Sequence, residues 1–201
     1  MVHFLRVTIM AAACQVVFKS TNDEILEAVK RNDASLEKRL TTLRETHSRA
    51  NAVILNINRI YNPLLLLSIN FLIYESIFTM FNPLGALFGL IAISKENSLK
   101  IIITNTAYLV LAATNTFQMF NICESATLES HKTGEALIKL ELHVERMRDC
   151  EDLNLFKEEL KHAKNVAFMI GGNYQINRRF IFEVKYYFYL AFQTNKGVRR
   201  L

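Results

Sequence analysis

The sequence predicts an all-α fold, a multi-pass transmembrane helix bundle with long cytoplasmic helices. Three observations carry this. The 201 residues include only two prolines and six glycines, too little turn punctuation for an all-β barrel or a Gly-rich nucleotide fold. Hydrophobic residues make up 51% of the chain and charged residues 21%, which is too apolar for a disordered polypeptide. The charges are also blocked rather than dispersed. The 35 residues between Arg59 and Lys95 carry only Glu75, and the 23 between Lys100 and Glu124 carry none. A helix rises about 1.5 Å per residue and needs roughly 20 residues to cross a hydrocarbon core, so each run is long enough for one crossing.

In chain order, residues 1–19 form an apolar segment whose centre, Val7 to Phe18, fits either a signal-peptide core or the lower part of a preceding transmembrane helix. Residues 20–61 read as a cytoplasmic helix: Thr21-Asn22-Asp23-Glu24 offers a capping box, and Ile25, Val29, Leu36, Leu40 and Leu43 follow at helical spacing. Residues 62–123 hold two transmembrane helices with a short outer connection. The first starts at Asn62-Pro63, with Asn as N-cap and Pro in the first turn, and runs to Phe81, where Asn82-Pro83 marks a stop or kink. Leu84 to Ser94 is too short to cross again, and Gly85 and Gly89 are spaced for close helix contact. The second, Ile101 to Cys123, includes Asn105, Thr106, Thr114, Asn115, Thr116 and Gln118. Amides and hydroxyls at that density are costly against lipid, which places this helix against neighbours or water.

Residues 124–172 hold further cytoplasmic helices. Leu153, Phe156, Leu160, Ala163, Ala167 and Ile170 make a heptad-like stripe ended by Gly171-Gly172. The stripe packs on other helices or another chain, or lies on anionic lipid. Residues 173–201 form a last transmembrane helix and tail, rich in aromatics and carrying Arg178, Arg179, Glu183 and Lys185. Eight basic residues lie between the first apolar segment and the Pro63 helix and nine between Cys123 and Phe180, against only Lys95 and Lys100 in the short connection. The two long connections are therefore inside and the short one outside. The competing architecture is a soluble all-α protein that buries both runs.

Several functions find no footing. The net charge of +5 comes without a surface mixing cations and aromatics, so nucleic acid is not expected as a partner. Cys14, Cys123 and Cys150 are odd in number and widely spaced, which indicates neither a disulfide framework nor a metal site and favours small apolar fillers. The five histidines form no ligand spacing, and there is no nucleophile elbow, zincin motif or phosphate loop. An enzyme, a catalytic residue and a cofactor are not expected.

Tyr186-Tyr187-Phe188-Tyr189-Leu190-Ala191-Phe192-Gln193-Thr194 resembles the carboxyl-terminal signature of insect gustatory receptors, in which Thr-Tyr, five hydrophobic residues and Gln-Phe follow one another. Tyr187 and Gln193 have that spacing; Tyr186 and Thr194 depart from it. Gly172 to Asn177 is similar to the glycine-aromatic turn ahead of that family's last helix, and Asn56 to Leu67 to the start of its fifth. The family has seven crossings, of which this chain supplies the last three and the end of a fourth, so it resembles a truncated or partial receptor. The resemblance implies a plasma-membrane subunit of a ligand-gated cation channel for taste. Such a subunit is one of four around a pore, as homo- or hetero-tetramer, with a small-molecule tastant and membrane lipid as partners. The long inner helices are then the anchor and the last helix is pore-type. Pore or gate candidates are Tyr187, Leu190 and Gln193, the last because a ring of neutral amides hydrates a cation without trapping it. Candidates for the ligand cavity or an intramembrane polar role are Glu75 and Tyr108, with ligand expected in the outer half of the bundle. The rival role is a non-conducting integral membrane scaffold or accessory protein.

Overall fold

The computed structural model describes residues 2–31, 34–87, 95–162, 166–172, 174–177 and 179. Among them are the helices α1 (Val2–Arg31), α2 (Glu37–Leu87), α3 (Lys95–His143) and α4 (Glu151–His162). The strands β1 (Met169–Ile170) and β2 (Tyr174–Gln175) pair antiparallel. The fold is all-α, and its frame is the packing of α1, α2 and α3, with the most extensive contact between α1 and α3.

On α1 the buried positions Phe4, Val7, Ala11, Cys14, Phe18, Thr21, Ile25 and Ala28 advance by alternating steps of three and four, the spacing that keeps one seam facing the neighbours. That seam explains why α1 runs straight through the expected boundary at residues 19/20. Thr21 and Asn22 do not cap a new helix; they lie inside α1, buried against α3. The 20–61 stretch is therefore shared between two helices, with a 3-10 turn at Ala34–Leu36 just ahead of α2.

Two further expectations about breaks are corrected. The helix does not start at Asn62-Pro63, because α2 is continuous from Glu37 to Leu87 and also passes Asn82-Pro83. Pro63 has no N–H to give the Arg59 carbonyl, and an interior proline costs about 3 kcal/mol. Tertiary packing on both sides offsets this, with Ile57 and Leu65 buried in the same cluster. The stripe from Leu153 to Ile170 is not one helix either. Only Leu153, Phe156 and Leu160 lie on α4, which ends at His162, and Ile170 lies in β1; Ala163 lies outside the described residues. Gly171 and Gly172 have φ of 64° and 78°, the left-handed region that glycine occupies cheaply, and they make the turn between the strands. Of the segment expected as a last transmembrane helix and tail, Tyr174–Gln175 form β2, and residues 180–201 lie outside the described residues.

The buried residues form two apolar clusters. One joins Phe4 to Phe18 of α1 with Ile54 and Leu65 of α2, Met119 and Cys123 of α3, and Phe168, Ile170 and Ile176 of the hairpin segment. The other joins Ile25, Leu40, Leu137, Leu140, Leu153 and Phe156. Cys14, Cys123 and Cys150 are buried free thiols that fill these clusters. The outward faces change along α2. Beyond Arg59 they expose Ile60, Leu67, Phe71, Tyr74, Ile77 and Phe78, and α3 exposes Ile103, Val110, Leu111 and Phe117. At the other end the outward chemistry is ionic: Arg39 pairs with Glu24 at 2.6 Å and Lys157 with Glu141 at 2.8 Å. Arg44 lies 3.6 Å from both Asp152 and Glu159. Among the described residues, α1 and the 37–79 part of α2 are long and apolar enough to cross a membrane. Within α2 the residues past Arg59 carry a single charge, Glu75. The segment from Ile101 to Cys123 does not reach the same apolarity, because its amides and hydroxyls lower it.

A polar layer sits near the junction of the two clusters. Thr133 Oγ1 donates to Asn22 Oδ1 at 2.7 Å, and Asn22 Nδ2 donates to the Glu129 carbonyl at 2.9 Å. Ser130 Oγ donates to Asn51 Oδ1 at 3.3 Å, and the Asn51 amide lies 3.2 Å from His47 Nδ1. The His47 ring packs against Phe18 and Phe156, with centroids 4.9 and 5.5 Å away, and its Nε2 is buried without a hydrogen-bond partner among the described residues. His47 lies on the charged side of Arg59, between Arg44 and Arg49, well outside the apolar stretch. Burial pushes its pKa down to about 4, with the backbone of Ser130 opposing the shift. The unfolded chain, titrating near 6.5, takes up the proton first, so the stabilisation is complete above pH 6.5 and lost as pH falls towards 4. Thermal melts of the purified chain should lose on the order of 3 kcal/mol across that window, and His47→Gln should flatten the limb; identical slopes in the two proteins would contradict this assignment.

Candidate functional site

Beyond the polar layer the three long helices surround a cleft of about 620 Å³, within the range of small-molecule sites. Helical spacing builds each wall. On α2 the pairs Leu67/Ser68 and Phe71/Leu72 are one turn apart, and on α3 Tyr108, Ala112, Asn115 and Thr116 occupy one face, with Gln118 at its edge; α1 closes the cleft with Val2, Phe4, Leu5 and Thr8. Among the described residues no charged side chain lines it. Thr8 donates to the Phe4 carbonyl at 2.7 Å and Thr116 to the Ala112 carbonyl at 2.8 Å, so both hydroxyls are turned back on their own helices. The polar character of the cleft therefore rests on Ser68, Tyr108, Asn115 and Gln118. The walls can hold a mostly apolar molecule and meet one or two hydroxyl or carbonyl groups on it.

Directly below, one face of α2 seats the β-hairpin. Asn58 uses both ends of its amide: Nδ2 donates to the Ala167 carbonyl at 2.6 Å, and Oδ1 accepts from the Met169 N–H at 2.9 Å. Ile176 N–H donates to the Phe168 carbonyl at 2.7 Å, which closes the hairpin. One turn along α2, Asn62 approaches Gly172, and one turn further Leu66 approaches Gly171. Val166, Phe168, Ile170 and Ile176 are buried beneath this seat, so the hairpin plugs the side of the bundle.

The residues singled out in the sequence fare unequally. Tyr108 lines the cleft. Glu75 does not; it lies one turn beyond Phe71 on α2, half-buried, with Oε2 buried and lacking a hydrogen-bond partner among the described residues. Tyr187, Leu190 and Gln193 lie outside the described residues. Asn115, Thr116 and Gln118 were legible as an unusual polar density, yet that density alone did not mark them as cleft-lining. Asn58 falls in the Asn56 to Leu67 stretch noted in the sequence, but nothing there marks its role, since its partners are backbone groups more than a hundred positions away. The cleft also sits nearer the basic ends than the expected outer half: its α2 wall begins four residues after Pro63.

Among the described residues, no group of three or more His, Cys, Asp or Glu side chains is placed to hold a metal ion. A family model described as 7tm Chemosensory receptor matches residues 1–184. No curated protein matches the chain. If the cleft is a binding site, Ser68→Phe should weaken the Kd for a neutral environment-sensitive dye at least tenfold, about 1.4 kcal/mol, with the melting temperature retained; an unchanged Kd would place the dye elsewhere.

Proposed function

Because the chain belongs to the 7tm chemosensory receptor family, we propose that this chemoreceptor acts in taste, as a subunit of a ligand-gated cation channel in the plasma membrane. The observation that supports the reading best is the cleft, lined by no charged side chain among the described residues and bordered by three helices that continue unbroken into a second, separately packed cluster. A small molecule held there touches α1, α2 and α3 together, so it stabilises whichever arrangement of the three fits it better. That differential affinity is what shifts a closed–open equilibrium.

In this reading the helices cross several times, the basic ends lie in the cytoplasm, and four subunits, identical or mixed, surround one pore. Tyr187, Leu190 and Gln193 belong to the pore-lining segment, where neutral amides from four Gln193 residues hydrate the ion. Glu75 serves as an intramembrane carboxylate facing a partner amide or the pore vestibule. No chemical step is catalysed. The scaffold role draws on a different observation: Leu128, Ile138 and Leu142 of α3 and Leu155 of α4 are exposed large hydrophobics on the charged half of the bundle, and these would bind partner helices without conduction.

Expression of the chain at the cell surface, tested with a panel of neutral tastants, should produce a cation conductance that Gln193→Ala reduces at least tenfold at unchanged surface level. A chain that reaches the surface and never conducts, while co-purifying with partner helices that Leu142→Glu releases, would favour the scaffold.

A further inference from the structure

The α2 face formed by Asn58, Asn62 and Leu66 seats the hairpin, and the next turn of the same helix forms a wall of the cleft through Leu67, Ser68 and Phe71. Between Asn58 and that wall stands Pro63, which leaves the Arg59 carbonyl without its usual helical donor. An α-helix bends most easily where a rung of its ladder is missing. The Asn58 clasp and the wall thus lie on opposite sides of a weak rung, while Leu66, on the wall side, touches the hairpin turn at Gly171.

We propose that Asn58 is a positioning residue that couples the cleft to the segment following the hairpin, by clasping the backbone of Ala167 and Met169 to α2 below the Pro63 joint. The proposal rests on the channel reading for its consequence. A molecule in the cleft pushes on Leu67 and Phe71, α2 bends at Pro63, and the hairpin, clasped by Asn58 before the joint and touched by Leu66 beyond it, shifts with the bend. Two features fit a clasp rather than simple filling. Both bonds are made by one side chain to backbone groups on either side of Phe168, so the amide reads the path of the strand and not its side chains. Burial of Phe168 and Ile170 keeps the hairpin docked when the bonds are lost, so the clasp sets its position more than its attachment.

The test uses the full chain in cells and in lipid nanodiscs. Ligand-free cation current per surface receptor should rise at least fivefold in Asn58→Leu, rise less in Asn58→Asp, which keeps an acceptor for the Met169 N–H, and fall in Pro63→Ala, which restores the missing rung. In parallel, hydrogen exchange across residues 166–176 should accelerate about tenfold in Asn58→Leu, with residues 119–126 unaffected. Unchanged current per receptor in a conducting chain overturns the proposal, and so does exchange that accelerates throughout the core cluster or nowhere. Silence in every chain, with acceleration confined to the hairpin, removes the channel reading and leaves the clasp as a joint between α2 and the hairpin.

Discussion

Each long helix has to satisfy two surroundings at once. α2 and α3 run for 51 and 49 residues, and at one end their outward faces carry Phe71, Tyr74, Phe78, Val110 and Phe117, while at the other they carry ion pairs such as Arg44 with Asp152. Only a helix closes nearly all its backbone hydrogen bonds within itself, so only a helix can pass from one surrounding to the other without exposing unpaired N–H and C=O groups. The interior stays much the same along the way, a seam of apolar side chains, and it is the outer coat that changes near Arg59. The cleft, the hairpin seat and the polar layer all take their places along these continuous rods.

The polar layer complements the apolar seams. Apolar side chains can slide past each other by one turn at modest cost, but Asn22, Thr133 and the Glu129 carbonyl meet only in one register, as do His47, Asn51 and Ser130. A slip leaves buried amides and hydroxyls without partners, a loss of roughly 1–3 kcal/mol for each group. α1, α2 and α3 are thereby fixed axially at one level, and α4 is drawn in through Phe156 against His47. Movement produced in the cleft is then expressed as bending or rotation about that level, with little translation.

The architecture was legible because its signals are local and repeated: long uncharged runs, scarce glycine and proline, and three-and-four spacing. The breaks were not. Thr21-Asn22 and Asn62-Pro63 carry helix-start chemistry, and each lies mid-helix because long-range contacts outweigh it, the first through Asn22 on α3 and the second through the packing of Leu65. Conversely, the change from α4, which ends at His162, to the strand at Met169–Ile170 is hidden in an apolar rhythm that continues from Leu153 to Ile170. Tyr108, a candidate for a ligand cavity or an intramembrane polar role, lines the cleft. Asn58 could not be picked out, since a side chain that binds backbone leaves no pattern in its partners' residue types. The glycine pair at 171–172 marked a turn correctly but was assigned to a helix end, a choice that only the strand pairing resolves.

Whether lipid surrounds the apolar coat is most directly measured with single cysteines in intact vesicles and a membrane-impermeant maleimide; Cys14, Cys123 and Cys150 are buried and give little background. Cysteines replacing Tyr74 and Val110 should stay unlabelled from either side, and those replacing Arg49 and Lys139 should both label from the same side. Ready labelling at Tyr74 and Val110, or labelling of Arg49 and Lys139 from opposite sides, would contradict the arrangement of the helices on which the ligand cleft and its coupling depend.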